Sequence, residues 1–538
     1  MNILDWTIVA CYLAGMIGLS VYLSRGQKTV KDYYLGGNNI KWWHISISTM
    51  ATQCSTNSLL GAPAFVALAA GGGLIWLQYE LAVPLAMIFI MIFLLPFYRK
   101  AGVVSIYEYL EMRFGPGTRT ILSILFQFIR AVSTGVTVYG ISIVISECIN
   151  EPFWICVILI AVITIIYDSI GGMKGVVASD VIQMFVLFFG IIIIIYFALD
   201  LVGGLGEGLK YIDKSRLVTL DFAHHGMGDG HKYAFWPMLI GGFFLYVSYY
   251  GCDQTQVQRE LSSRSIDDSR RSLFMNGVLR FPLVLTYCFA GIVIGAFVVK
   301  SPQFLELIPL KDGVREINKT VPIFVLEYLP HGAIGLIIVA LFAAAMSSLD
   351  STINSLSATT MRDIYERFIS KKNSPRSQLL WSKGTTVFWG GVCTVCAFYL
   401  GGGDESIIEK INKIGSLING PILATFMLAI LTRRTNDAGG MIGILAGFIV
   451  NLLMANFAKG VSYFWWNIIG WATSFGVGYS SSIFFQPPSE EKTSGLTLNK
   501  DTLSTALGDL KWRKYYYILA GYFVVILLVL YLIQSIAL

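Results

Sequence analysis

The chain has 538 residues, of which 55% are hydrophobic and only 13% are charged, whereas an ordinary soluble protein carries about 25% charged residues. This composition excludes a soluble enzyme. The net charge of +6 does not indicate a nucleic-acid partner, because in a membrane protein the location of the positive charges matters more than their sum. No polar block is large enough for a separate globular domain, so we predict one transmembrane domain over residues 1–538.

Apolar runs follow one another along the whole chain, and fourteen of them approach or exceed the roughly 20 residues that a helix needs to cross a bilayer. They lie approximately at 4–23, 44–70, 74–97, 119–148, 152–170, 178–202, 234–254, 272–300, 332–359, 381–401, 406–431, 438–457, 463–485 and 515–536. The runs are continuous, whereas the strands of a membrane barrel alternate over about ten residues. We therefore predict an all-α polytopic membrane protein with about 14 transmembrane helices.

The basic residues predict the orientation. Most of the 39 Lys and Arg residues lie in alternate connections, which the positive-inside rule assigns to the cytoplasm. We therefore predict a multi-pass protein of the cell (inner) membrane, with both termini on the outer side. The first run has no cleavage signal, so we expect it to remain as a helix. The loop at 203–233 carries His224, His225 and His231, which could bind a metal, but we expect an ordinary solvated loop.

Ionisable residues inside the apolar runs are candidates for function, because a charge in the bilayer is costly without a partner or a water-filled path. Four of them lie deep in their runs: Glu80, Arg130, Asp180 and Asp350. Three others, Asp168, Asp253 and Arg280, lie near the ends of their runs. For these three we expect solvation at the membrane interface.

Polar residues interrupt two of the runs. Residues 51–58 contain only two apolar side chains, those of Ala51 and Cys54, and residues 248–254 form a similar interruption. Such stretches leave backbone groups unpaired unless they line a cavity, as the broken helices of secondary transporters do. Two broken helices at matching positions predict a transporter with inverted repeats.

The run at 332–359 contains the densest polar cluster. Ser347 and Ser351 lie on one face of a helix there, with Ser348 and Asp350 beside it. Hydroxyl, carboxylate and carbonyl oxygens are hard ligands that suit an alkali cation. Small and hydroxyl residues also let helices pack closely, but close packing does not need the carboxylate of Asp350, so we favour an ion.

The motifs of the chain, in their order, resemble the sodium/solute symporter family. They are DYYLGG (residues 32–37), YEYLEMRF (107–114), GGMKGVV (171–177) with DVIQ (180–183), DQ (253–254) with QR (258–259), and SS (347–348) with MRDIY (361–365). The resemblance implies a LeuT-like core of ten helices in two inverted five-helix repeats at 44–431. One helix at 4–23 would precede this core, and three helices at 438–536 would follow it.

The resemblance also implies sodium sites. The principal site would use the backbone carbonyls of Ala51, Cys54 and Ala344 and the hydroxyls of Ser347 and Ser348. A second site, found in some members, would use Asp180, Ser347, Asp350 and Ser351. Similar members more often have a hydroxyl where this chain has Asp350. The acid could strengthen ion binding, favour a proton or form a salt bridge.

The resemblance places the solute among residues that contact sugars in the family's sugar carriers. The implied set is Gln53, Asn57, Ser58, Glu80, Tyr246, Tyr249 and Asn412. Sialic acid carriers use an arginine in the helix that contains Arg130, about one turn away from it. Arg130 is therefore a further candidate, although pairing with Glu80, Asp180 or a carbonyl would also explain it.

These expectations describe a sodium-coupled symporter that imports a small polar organic solute. Our first expectation is a sugar, and the alternatives are an acidic solute (sialic acid or a monocarboxylate) or a non-transporting sensor on the same fold. We expect no catalytic residues, because the sequence has neither a zinc-enzyme motif nor a nucleophile elbow. The expected partners are one or two cotransported sodium ions, the solute and the lipid bilayer, and the expected functional form is a monomer.

Overall fold

The computed structural model describes residues 1–54, 57–311, 313–369, 374–400, 407–499 and 510–537. Within these ranges the chain is helical, and its only strands form one short hairpin, β1 (Leu310–Lys311) with β2 (Val314–Arg315). The α-helices are α1 (Ile3–Leu23), α2 (Val30–Leu35), α3 (Trp42–Gln53), α4 (Ala62–Leu68), α5 (Ala82–Phe89), α6 (Leu95–Ala101), α7 (Ile106–Arg113), α8 (Pro116–Ile149), α9 (Phe153–Val202), α10 (Leu205–Gly208), α11 (Gly242–Cys252), α12 (Gln254–Leu261), α13 (Ile266–Lys300), α14 (Phe304–Leu307), α15 (Thr320–Tyr328), α16 (Ala333–Thr359), α17 (Pro375–Leu400), α18 (Ile407–Leu431), α19 (Asp437–Phe457), α20 (Tyr463–Ser481), α21 (Glu490–Thr493) and α22 (Leu510–Ala537).

Nine helical stretches in the described part of the chain are long and apolar enough to cross a membrane. They include α9, whose 50 residues hold two of the predicted runs, and the stretch Leu74–Ala101, which joins a 3₁₀ segment to α5 and α6. The other runs are helical too, but α3, α4, α11, α17 and α20 are shorter or less uniformly apolar. The orientation with both termini outside stays a prediction.

The first predicted interruption is confirmed. Helix α3 ends at Gln53, and Cys54 leaves the helical region with φ −80° and ψ 69°. The chain becomes helical again in a π-helical turn, Asn57–Gly61, and then in α4. Cys54 thus lies at a break in the first helix of the expected core.

The second interruption is shorter than predicted. Helix α11 continues through Ser248 to Cys252, and only Asp253 is extended, with φ −100° and ψ 124°. The Asp253 carboxylate accepts a hydrogen bond of 2.8 Å from the backbone N–H of Thr255 and so caps α12. One residue is enough for this break, because an aspartate cap satisfies a free backbone donor of the following helix.

Gly172 separates the two halves of α9. Its φ of 54° and ψ of −157° depart from helical values, and positive φ is a conformation that glycine adopts at little cost. A Cβ atom at this position would lie 2.7 Å from the backbone oxygen of Tyr33. The sequence runs at 152–170 and 178–202 are therefore two helical segments that meet at a glycine packed against α2.

Helix α16 lies at the centre of the bundle, where it packs against α1, α3, α8, α9 and α17. Nearly all its side chains are buried. The peripheral helices α1 and α22 instead expose large apolar side chains such as Trp6, Tyr22 and Leu532. Extensive exposed apolar surface is typical of contact with a membrane, so the polar cluster of α16 lies in the interior of the bundle.

Candidate functional site

A cavity of about 200 Å³ lies next to both helix breaks. It is lined by the end of α3, the 3₁₀ segment Leu74–Leu81, and helices α8, α11, α13, α16 and α18. One water needs about 10–15 Å³ by this kind of measure, so the cavity has room for a small polar solute. Seven of the expected solute residues line it: Gln53, Ser58, Glu80, Arg130, Tyr246, Tyr249 and Asn412. The side chain of the eighth, Asn57, is outside the described part of the structure.

Glu80 and Arg280 form a buried ion pair in the cavity wall. Arg280 Nε donates to Glu80 Oε2 at 3.2 Å, and the Tyr246 hydroxyl donates to Glu80 Oε1 at 3.0 Å. Arg280 Nη1 also donates to Cys54 Sγ at 3.4 Å, at the break after α3. The expectation that Arg280 is solvated at the interface is wrong, because α13 is long enough to bury it in the interior.

Arg130 and Asp253 form a second ion pair at the edge of the cavity. Arg130 Nε donates to Asp253 Oδ2 at 2.6 Å, Nη2 donates to the same oxygen, and the Tyr249 ring lies 5.0 Å from the guanidinium carbon. The predicted partners of Arg130, which were Glu80, Asp180 or a carbonyl, are wrong. Asp253 is also not interfacial, because the break between α11 and α12 turns its carboxylate toward α8.

Sequence reasoning missed two side chains of this wall. Tyr250 donates from its hydroxyl to Gln53 Oε1, and Arg280 is the partner of Glu80. Tyr250 belongs to the polar interruption at residues 248–254, and nothing in that sequence indicates Gln53 as its partner. Arg280 is an ionisable residue in an apolar run, which made it a candidate. Its position near the end of that run led us to expect solvation instead of a buried partner.

The residues of the expected principal sodium site lie where α3 and α16 meet. Ala51, Cys54, Ala344 and Ser347 are fully buried, while Ser348 reaches the solute cavity. The Ser348 hydroxyl donates to the Ala344 backbone oxygen at 3.2 Å. Helices α3 and α16 pack against each other, so the structure brings the carbonyl and hydroxyl candidates into one region of the interior.

Two residues of the expected second site, Asp180 and Ser351, contact a buried arginine. Asp180 accepts hydrogen bonds from the hydroxyls of Ser347 and, at 2.5 Å, of Ser48. Arg259 Nη2 lies 3.3 Å from Asp180 Oδ2 and also donates to the Ser351 hydroxyl. Arg259 lies in the connection between the predicted runs at 234–254 and 272–300. Its side chain is buried in α12, where it is a positive charge already present beside Asp180.

Asp350 is a second carboxylate in this cluster. It accepts hydrogen bonds from the hydroxyls of Tyr167 and, at 3.0 Å, of Ser351. Among the described residues no basic nitrogen lies within salt-bridge distance of Asp350, so the salt-bridge alternative finds no support in that part of the chain. Asp168 is also buried and accepts from Asn354 Nδ2 at 3.2 Å, which corrects the expectation that it is interfacial.

Comparisons with known proteins identify the family of the chain. The model of the sodium:solute symporter family matches residues 33–447. The sodium/sialic acid symporter NanT of Aliivibrio fischeri is 30% identical over 93% of this chain and 97% of its own, and the human sodium/iodide cotransporter is 29% identical over 82% and 67%.

The fold also matches a solved structure, the substrate-bound outward-open state of a Na⁺-coupled sialic acid symporter. The TM-score is 0.81 at 26% identity, over 91% of this chain and 99% of the other. The expected all-α, LeuT-like fold is thereby confirmed. The chain belongs to the sodium:solute symporter family and is a sodium-coupled carrier of a solute rather than an enzyme.

Proposed function

We propose that the solute is a small hydroxylated carboxylate, and that it binds with its carboxylate at Arg130. An arginine presents five N–H donors, and the two contacts of Arg130 with Asp253 end on a single oxygen, Oδ2. The remaining donors of Arg130 have no acceptor among the described residues, and its side chain lines the cavity. Planar, bidentate recognition of a carboxylate is the interaction for which a guanidinium is best suited.

The acidic alternative is better supported than a neutral sugar, which was our first expectation. The relatives described above are named for sialic acid and iodide, both of which are anions. The cavity contains two arginines and two acids, Arg130 and Arg280 with Asp253 and Glu80. Its own charges therefore balance, and the free donors of Arg130 favour an added anion.

Hydroxyl groups of the solute would bind the other polar side chains of the cavity. Glu80 and Tyr246 hold each other on one wall, and Gln53, Ser58 and Asn412 offer amide and hydroxyl groups on others. Asn57 is a further candidate of the same kind. An apolar carboxylate would cover these polar groups with a surface that cannot hydrogen-bond to them, and burying polar groups against such a surface is costly.

We propose two sodium sites. In the first, the carbonyls of Ala51, Cys54 and Ala344 and the hydroxyls of Ser347 and Ser348 hold an ion between α3 and α16. In the second, the ion is held by Asp180, Ser347, Asp350 and Ser351. The support for the first is the break at Cys54 beside the hydroxyls of α16. The support for the second is a pair of buried acids, Asp180 and Asp350, of which only Asp180 has an arginine within salt-bridge distance among the described residues.

The charge of the solute determines how far the sodium ions can concentrate it. A monovalent carboxylate that enters with one sodium moves no net charge, so a tenfold sodium gradient supplies only about 1.4 kcal/mol, or tenfold accumulation. With two sodium ions one net charge crosses, and 100 mV adds about 2.3 kcal/mol. The total of about 5 kcal/mol supports accumulation of several thousandfold. Coupling requires that sodium binding favours the state with a complete solute pocket.

The test is a competition screen in proteoliposomes with an inward sodium gradient. Labelled sialic acid, labelled monocarboxylates and labelled neutral sugars are each offered, with an excess of unlabelled carboxylates, neutral sugars or amino acids as competitors. We expect sodium-dependent uptake that carboxylates inhibit and neutral sugars do not. Sodium-driven uptake of a neutral sugar, with no uptake of any carboxylate, would overturn the proposed solute class.

A further inference from the structure

A loop on the side of the molecule that the orientation prediction places outside lies close to the solute cavity. We call residues 221–234 the histidine loop. Gln78 Nε2 donates to the Tyr233 backbone oxygen at 2.5 Å, and the Asp221 N–H donates to Gln78 Oε1 at 3.3 Å. Lys232 Nζ pairs with Glu409 Oε1 at 2.6 Å, on α18. The histidine loop therefore connects the segment Leu74–Leu81 with α18, and both of these elements line the cavity.

Three side chains of the histidine loop converge. Asp221, His224 and His231 each present a potential ligand atom, and these atoms all lie within 4.8 Å of one another. His224 Nδ1 lies 2.8 Å from Asp221 Oδ2. The rings of His224 and His231 are stacked, with their centroids 3.4 Å apart and their planes within 12° of parallel.

The chemistry of this set is that of a transition-metal site. Two imidazoles and one carboxylate are a common zinc ligand set, with a water in the fourth position. Bonds of about 2.0–2.1 Å place the ligands of a tetrahedral ion about 3.3 Å apart, so small side-chain rotations close the site. The Asp221 carboxylate is oriented by the backbone N–H groups of Ala223 and His224, at 3.1 and 3.3 Å, as the outer shell of a metal site commonly orients its ligands.

We propose that a zinc ion binds to Asp221, His224 and His231 and fixes the histidine loop across the solute cavity. His231 is exposed, so an ion reaches the site from solution. With the ion bound, the loop holds Leu74–Leu81 and α18 at a fixed separation and uptake slows. The effect on uptake rests on the proposed transport function, whereas binding of the ion does not.

The same loop offers a matched control. His225 is a neighbour of His224 in sequence, but its Nδ1 accepts from the Met227 N–H at 3.1 Å and faces Asp229. It is not part of the converging set. H225A therefore removes one imidazole of the loop without removing a ligand.

The experiment is a calorimetric titration of the purified full-length chain with ZnCl₂, using an affinity tag without histidine. We expect one ion per chain. Because loss of even an outer-shell partner weakens metal binding about 10–100-fold, H231A should weaken it about 100-fold or more, D221N at least tenfold, and H225A not at all. H231Q and elution in size-exclusion chromatography distinguish loss of a ligand from loss of fold. An absence of zinc binding by the wild-type chain, or equal binding by folded H231A or H231Q, overturns the site.

A second measurement tests the effect on transport. Zinc outside the vesicles should slow sodium-driven uptake by the wild-type chain and by H225A, EDTA should restore it, and H231A should be insensitive. Zinc binding without slower uptake would overturn the proposed locking of the loop. If the wild-type chain takes up no carboxylate, the proposed function fails, and the titration still decides whether the metal site exists.

Discussion

Replacing Arg130 with alanine removes the guanidinium that we assign to the solute carboxylate. The side chain is 20% exposed, so solvent screens part of its charge. Truncation of one partner in a buried, hydrogen-bonded charge pair costs about 2–5 kcal/mol of binding, and we take about 3 kcal/mol for this half-buried position. At about 1.4 kcal/mol per factor of ten, Vmax/KM for a carboxylate should fall about 100-fold. The Asp253 carboxylate left behind also repels an anion.

The assay compares a carboxylate with its carboxamide analogue, both taken up by proteoliposomes under the same sodium gradient. The wild-type chain should prefer the carboxylate, and R130A should transport the two at similar low efficiency. R130K keeps the charge but offers a compact ammonium in place of the planar fork, so it should retain an intermediate preference. E80Q removes a carboxylate of the same cavity but keeps Arg130, so it should keep the preference for the carboxylate over the carboxamide, whatever its effect on total uptake. Unchanged Vmax/KM and an intact preference in R130A would refute the assignment.

Three further predictions concern the ions and stability. S348A should raise the sodium concentration for half-maximal uptake about tenfold, since one oxygen ligand is lost, and an unchanged sodium dependence in reconstituted vesicles would remove Ser348 from the site. D180N should reduce the number of sodium ions per solute, measured from reversal potentials, from two to one, and a value of one before and after the change would exclude the second ion. Glu260 lies on α12, between two of the predicted membrane-spanning runs. Burial raises its pKa from 4.5 to about 8, although the hydrogen bond from the Ser272 hydroxyl lowers it. The folded chain then binds more protons than the unfolded chain between these two values, so stability falls as the pH rises. E260Q should therefore raise the apparent Tm more at about pH 9 than at about pH 5, and an equal change at both would contradict this.

The sequence was informative where composition has a direct physical consequence. Residues 51–58 are too polar for an intact membrane helix, and the break at Cys54 follows from the need to satisfy their backbone groups. The resemblance to the symporter family identified Glu80, Tyr249 and Asn412, which the structure brings together around one cavity.

The partners of the charged residues were beyond the reach of the sequence. Arg130 and Asp253 are more than a hundred positions apart, and only the packing of α8 against the break after α11 brings them together. Arg280 was expected at the membrane interface because it lies near the start of an apolar run. Helix α13 begins before that run, so this position is in the interior of the helix. The burial of Arg259 was also beyond the sequence, because a basic residue in a short connection is usually solvated, whereas α12 turns this side chain into the interior.

The positive charge of Arg259 bears on the step in which the empty carrier returns. If Asp180 holds the second ion, as we propose, its carboxylate loses that ion before every return, and an isolated anion in a low-dielectric interior is costly. The guanidinium at 3.3 Å is a permanent counter-ion that stays with the protein, so the empty form carries less uncompensated charge at this position. Asp350 has no such counter-ion among the described residues. With an ion site at these two acids, as proposed, the return of the empty carrier would therefore depend on how the charge of Asp350 is neutralised.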